Sequence, residues 1–187
     1  MSAGARSAQV RPHEPAAGIR LVCRQVRSAA DLADHHEIRR RVFVEEQSVF
    51  TGSDLDEHDR DDAVIRLVGY CDGVPAGTVR LFLLDEPAGL WQGDRLAVLA
   101  PYRIRGLGAP LVRCAVATAA EHGGRTMVAH IQLANSTFFH RLGWSAAGEA
   151  EIYAGLPHQP MTITLPTPEE GMAVVRRLAA GISVPAP

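Results

Sequence analysis

The residues with the most chemical content lie mid-chain, in Ala100-Pro101-Tyr102-Arg103-Ile104-Arg105-Gly106-Leu107-Gly108, between an apolar run and a helical pattern. A glycine-rich turn that opens a helix aims several backbone N–H groups, and the positive end of the helix dipole, at one point. That arrangement suits a pyrophosphate. Gly106 and Gly108 let the backbone approach phosphates closely, and Arg103 or Arg105 can add charge-assisted bonds. The loop is not a Walker A loop, because the Gly-Lys-Ser/Thr ending is absent, and GxGxxG is not satisfied either. All 19 basic residues are arginine, which removes Schiff-base and Walker-type lysines from the available mechanisms.

The elements that must position this loop are a strand over residues 91–99 and a helix over 109–122. Pro110 sits in the helix's first turn, where a missing N–H is harmless, and Gly123-Gly124 ends it. Upstream, residues 19–26 read as a strand, and Ser28 caps a helix running to Glu45. An acidic loop from Asp54 to Asp62 follows, then strands 63–71 and 76–84 around Asp72-Gly73, a hairpin signal. Downstream, the pattern predicts a strand at 125–132, a short helix at 135–142, strands at 144–153 and 161–165, and an amphipathic helix at 169–180. Residues 1–18 read as a flexible tail, 19–182 as one α/β domain, and 183–187 as a loose end.

Composition bounds the function classes. A chain of 187 residues, 47% hydrophobic and 21% charged, suits one soluble α/β domain with a real core. A formal net charge of −2 gives no electrostatic reason to expect nucleic-acid or membrane binding. No apolar run reaches the ~18 residues of a membrane span, and the arginine- and proline-bearing start has no signal-like apolar stretch. Cys23, Cys71 and Cys114 are widely spaced, with no CxxC pair, and read as reduced, buried thiols. No metal site is expected, and a cytoplasmic location fits.

The loop, its strand and two further segments together resemble the GNAT (GCN5-related) N-acetyltransferase superfamily. Arg103-x-x-Gly106-x-Gly108 is similar to the family's acetyl-CoA signature and follows Leu96-Ala97-Val98. Asn135-Ser136-Thr137-Phe138-Phe139-His140-Arg141-Leu142-Gly143-Trp144 resembles its second signature. Arg41-Val42-Phe43-Val44-Glu45-Glu46-Gln47, with Asp56, Asp59 and Gly77-Thr78-Val79-Arg80-Leu81, resembles the ElaA-like and YjcF-like bacterial branch. The resemblance covers about residues 19–165. It implies a mixed, twisted central sheet of about 6–7 strands flanked by helices and splayed between strands 4 and 5.

The resemblance also implies acetyl-CoA or another acyl-CoA as co-substrate. Val98 and Leu99 would meet the pantetheine arm through their backbone. Arg103, Ile104, Arg105, Gly106, Leu107, Gly108 and Ala109 would hold the pyrophosphate, with Asn135 and Phe139 completing the cofactor site. The implied acceptor is the amine of a small molecule; the oligomeric state stays open, a homodimer included.

In the family a base deprotonates the amine, the amine attacks the thioester, and the departing thiolate is protonated by a tyrosine of the second signature. Here that position holds Phe139, which has no proton to give. Water or another group can protonate the thiolate, which is the favoured reading because a thiol pKa near 8.5 demands little help. His140 is adjacent but would point away on its helix. Tyr102, Tyr153 or the hairpin's Tyr70 can stand in, or the protein binds acyl-CoA without turnover, as a regulatory module. Asp94 and Glu46 are the candidate bases, though Asp94 could simply end a turn after Gly93 and Glu46 could solvate a helix end. The acidic loop could attract a cationic amine or be merely solvated. His58 and His130 look isolated. The Arg-x-x-Val-Phe stretch also suggests acyl-homoserine-lactone synthase chemistry, which is disfavoured because that family's downstream Glu/Arg motifs are not evident.

Overall fold

The computed structural model describes residues 18–187. The expected N-terminal tail therefore lies, Gly18 apart, outside the described residues. The chain starts with β1 (Ile19–Gln25), whose alternate residues Ile19, Leu21 and Cys23 are buried, as a half-covered strand requires. Ser28 then caps α1 (Ala29–Arg39): its side chain accepts from the Asp31 N–H, and the Asp31 carboxylate accepts from the Ser28 N–H. The expected α-helix to Glu45 changes pitch part-way. Residues Arg40–Glu46 are π-helical, with the Gln47 N–H bonded to the Val42 carbonyl five residues back at 2.9 Å. Arg40 likewise reaches Glu45, five residues on. Such wider turns displace the following chain relative to an α-helix, and here they carry Gln47, Val49 and Phe50 to the wall of a cleft.

β2 (Ile65–Cys71) and β3 (Val74–Asp85) form the predicted hairpin, its tip turned by Asp72 and Gly73, both with positive φ. β4 (Leu90–Val98) returns along β3. A short α2 (Ala100–Arg103), absent from the sequence reading, precedes the glycine loop and α3 (Gly108–Glu121). β5 (Thr126–Gln132) and α4 (Ser136–Arg141) follow. The single strand expected over 144–153 is broken into β6 (Ser145–Ala146) and β7 (Glu151–Tyr153). Ala154 and Gly155, both at positive φ, fold β7 back onto β8 (Leu156–Thr164), which is longer than predicted. α5 (Pro168–Ala180) is capped reciprocally by Thr167 and Glu170. β9 (Ile182–Val184) then pairs with β1, so regular structure continues past residue 182, where a loose end was expected.

Among the described residues the sheet has nine strands, where about 6–7 were expected, in the order β6-β8-β5-β4-β3-β2-β1-β9, with β7 on β8. All neighbours are antiparallel except β4 and β5, which run parallel and pair only through Leu90–Thr126, Trp91–Met127 and Gln92–Val128. Beyond those pairs the two strands part, giving the splay that the resemblance implied. α3 and α5 cover one face over the larger core; Ile38, Val42 and Phe43 pack on the other. Bare backbone brings α3 close: a Cβ on Gly77 would lie 2.6 Å from Leu111 Cδ1 and 3.0 Å from the Ala97 carbonyl. The first turn of α3 is thereby pressed against β2 and β3 beside the splay. Among the described residues no helix is long and apolar enough to cross a membrane.

Candidate active site

Leu107, fully buried against the core, anchors the glycine loop, and Gly106 takes φ +78° where an added Cβ would touch nothing. Gly106 is therefore required by backbone conformation rather than by space. The N–H groups of Leu107, Gly108 and Ala109 meet no partner among the described residues, and no side chain caps α3. Three donors thus stand at the positive end of a 14-residue helix, a ready anion site. Arg105 lies over the Tyr102 ring at 5.7 Å and 3.4 Å from Asp72, with its side chain partly exposed. Arg103 is more committed. Its Nε donates to the Val98 carbonyl at 2.9 Å and its Nη2 pairs with Glu46 at 2.7 Å.

These bonds refine the backbone contacts expected of Val98 and Leu99. The Leu99 N–H already donates to Ala76, so it faces β3. By the alternation of a strand, Val98 faces the splay; its carbonyl is taken by Arg103, leaving its N–H as the open group.

The splay opens into a cavity of about 250 Å³. Val79, Val112, Ala115 and Met127 supply an apolar floor, and α3 reaches it through Val112 and Ala115. Its polar wall draws on Gln92, Asp94 and Arg95 of β4, His130 and Gln132 of β5, and Gln47 after the π-helical segment. Asn135 and Phe139 also line it, whereas Glu46 and His140 do not. Glu46 is instead the partner of Arg103, and the His140 ring contacts the Trp144 carbonyl.

Asp94 lines the cavity, yet both its oxygens accept from Arg80, at 2.8 and 2.5 Å. Arg80 is fully buried on β3 and also grips Asp56 at 2.6 and 2.7 Å. Arg39, equally buried, binds Asp54 and Asp59 at 2.7 and 2.6 Å. Arg95, at φ +50° in the bulge of β4, reaches Asp56 at 3.0 Å and lies over the Phe50 ring. Burial alone would raise the Asp59 pKa, but bonds from Arg39 and the Asp56 N–H outweigh it and hold the carboxyl well below the usual range. Asp56 is lowered too, burial again being outweighed by Arg80 and Arg95. Half of the acidic loop is thus an internal ion network rather than a solvated run, because three arginines from α1, β3 and β4 converge on it.

Among the tyrosines considered as acids, Tyr70 donates to Asp31 at 3.0 Å, and Tyr102 packs on the core outside the cavity. Tyr153 lines it, stacked beside His130 and edge-on to His158. Phe139 is 5% exposed, at right angles to both Phe138 and Trp144. The sequence reading missed Gln47, Phe50, Gln132, His158 and the pairing of His130 with Glu151. Gln47 ends the Arg41–Gln47 segment that carries the family resemblance; the others belong to no local pattern, and the splay and the β7–β8 hairpin bring them together.

The family model described as "Acetyltransferase (GNAT) family" matches residues 30–144. YyaT of Bacillus subtilis (strain 168) is 31% identical over 140 residues, spanning 74% of this chain and 93% of that protein. YjcF of the same organism, named as an uncharacterized N-acetyltransferase, is 28% identical over 131 residues, 70% of this chain and 90% of its own. Among solved structures, Escherichia coli ElaA superimposes with a TM-score of 0.66 at 20% identity, covering 77% of this chain and 98% of that one. With the glycine loop, the parted parallel strands and the cavity between them on one sheet, the chain belongs to the GNAT acetyltransferase family.

Proposed function

We propose that the protein transfers the acyl group of a short acyl-CoA, acetyl-CoA foremost, to the amine of a small molecule. The observation that carries this reading is the set of unpaired N–H groups on Leu107, Gly108 and Ala109, at the start of the helix that also lines the cavity. Those donors, with Arg105 beside them, fit a diphosphate. The Val98 N–H and Asn135 fit the amides of a pantetheine arm threaded into the splay. The thioester would then meet the acceptor in the cavity, where proximity supplies much of the rate. The polar wall, with Asp94 and Asp56 nearby, suits an amine.

Calorimetry with CoA and a thiol-release assay with acetyl-CoA and short acyl-CoAs over a panel of amines test this. Micromolar CoA binding with amine-dependent thiol release supports it; no affinity for CoA or its thioesters overturns it. Phe139 favours a second reading, a non-catalytic acyl-CoA-binding module. CoA binding without thiol release from any amine selects that reading instead.

A further inference from the structure

We infer that His130, oriented by Glu151, is the base that takes the proton from the acceptor amine, an assignment that rests on the acyl transfer proposed above. His130 stands on β5, on the same face as Gln132 and across the splay from Gln92 and Asp94, and its ring lines the cavity. Its Nδ1 lies 2.5 Å from Oε1 of Glu151. A carboxylate only accepts, so Nδ1 carries a proton, and in the neutral ring the lone pair is then on Nε2. The Tyr153 ring lies beside the imidazole, with ring centroids 6.1 Å apart. A histidine held in one tautomer by a carboxylate, with its other nitrogen free, is the arrangement a general base needs.

The competing groups are occupied. Asp94 gives both oxygens to Arg80, and Glu46 pairs with Arg103 outside the cavity. His158, on β8, is 6% exposed, and its Nδ1 bonds the Leu156 carbonyl, without a carboxylate partner. Glu151 and Tyr153 of β7 adjoin the His130 ring, and the other charged and titratable groups that line the cavity with it are His158 of β8 and Asp94 and Arg95 of β4.

The neutral amine attacks the thioester carbonyl carbon, forming the C–N bond. The adduct nitrogen passes one proton to Nε2 of His130, directly or through one water. Collapse of the adduct breaks the C–S bond, and the CoA thiolate leaves with the electron pair and takes a proton from solvent. His130 returns its proton to solvent, so the cycle balances without an acid at Phe139.

The test compares the intact wild-type chain with His130→Gln, His130→Ala, Glu151→Gln and His158→Gln. Each is first titrated with CoA, whose unchanged Kd reports an intact fold and cofactor site. Under general-base catalysis, His130→Gln loses on the order of 10²-fold in kcat together with the acidic limb of the pH–rate profile. Imidazole restores part of the rate to His130→Ala. Independently of turnover, histidine ¹⁵N shifts of the free protein should show the Nδ1–H tautomer at His130, lost in Glu151→Gln. An Nε2–H tautomer in the wild type, or a His130→Gln variant with wild-type kcat and pH profile, would overturn the assignment. So would loss of the acidic limb in His158→Gln alone. A wild-type protein that binds CoA but releases no thiol refutes the acyl transfer itself, a result distinct from these.

Discussion

Replacing Arg80 by methionine removes the hub of the buried ion network while keeping most of the side chain's volume. Arg80 is fully buried and holds Asp94 through two bonds, Asp56 through two more, and Asp59 at 3.0 Å. Asp56 and Asp59 retain Arg95 and Arg39. Asp94 keeps only a 3.9 Å approach from Arg95. The variant thus strands one carboxylate, Asp94, and weakens two others, all at sites at least partly withdrawn from water. Breaking a buried pair from one side costs about 3–5 kcal/mol. For a domain of this size that lowers the melting temperature by roughly 2–4 °C per kcal/mol, on the order of 10 °C in all. Thermal melts and urea titrations at pH 7.5 measure it. Adding Asp94→Asn to Arg80→Met should recover part of the loss, because the stranded charge is then gone. A single variant melting within about 2 °C of wild type would refute the network's structural role.

Acid should destabilise the protein in two stages. Burial, then the Arg39 charge, pushes the His35 pKa down to about 3, so its contribution is complete above the ordinary value of about 6.5 and fades as pH falls toward 3. Asp56 and Asp59, depressed in the fold, contribute above their unfolded value of about 3.9 and lose that as pH drops further. Urea midpoints should hold from pH 8 to about 6.5 and fall from there to pH 2, and a flat profile between pH 6.5 and 4 would contradict the placement of His35. In the glycine loop, Gly106→Ala forces a side chain into positive φ at about 1 kcal/mol, and CoA should bind several-fold more weakly by calorimetry. Gly108→Trp, whose Cβ alone would meet Phe138 Cζ at 3.4 Å, should abolish CoA binding. Burial raises the Cys114 thiol to about 12 and pushes Cys23 higher still. Mass spectrometry after iodoacetamide at pH 8 should find both unmodified until the protein is denatured.

The parts legible in the sequence were those written in local spacing. The Gly106-Leu107-Gly108 turn with Pro110 inside the next helix, the Asp72-Gly73 hairpin and the Ser28 cap each occupy a few adjacent positions, and each formed the element it signals. The resemblance supplied the splay, which no local pattern encodes. What stayed hidden depends on partners far apart in the chain. Arg80 meets Asp56 and Asp94 across 24 and 14 residues, so the acidic loop read as either a lure for a cationic amine or a solvated run, not as an ion network. His130 read as isolated because Glu151 lies 21 residues downstream. The break of residues 144–153 into two strands falls at 147–150, around Gly148, and Ala154-Gly155 then turns β7 onto β8; neither bend stands out in composition from an ordinary strand ending.

The return of the chain through β9 also bears on self-association. Gly181, at φ +97°, turns Ile182–Val184 onto β1, and a Cβ there would strike Arg20 Nε at 2.7 Å. Without those three residues the outer edge of β1 would present unsatisfied amides and carbonyls to any neighbouring copy, a template for intermolecular strand pairing and fibre growth. The short β9, with Pro185 directly after it, thus acts as a selvedge over β1, leaving among the described residues only three residues of open edge on that side of the sheet.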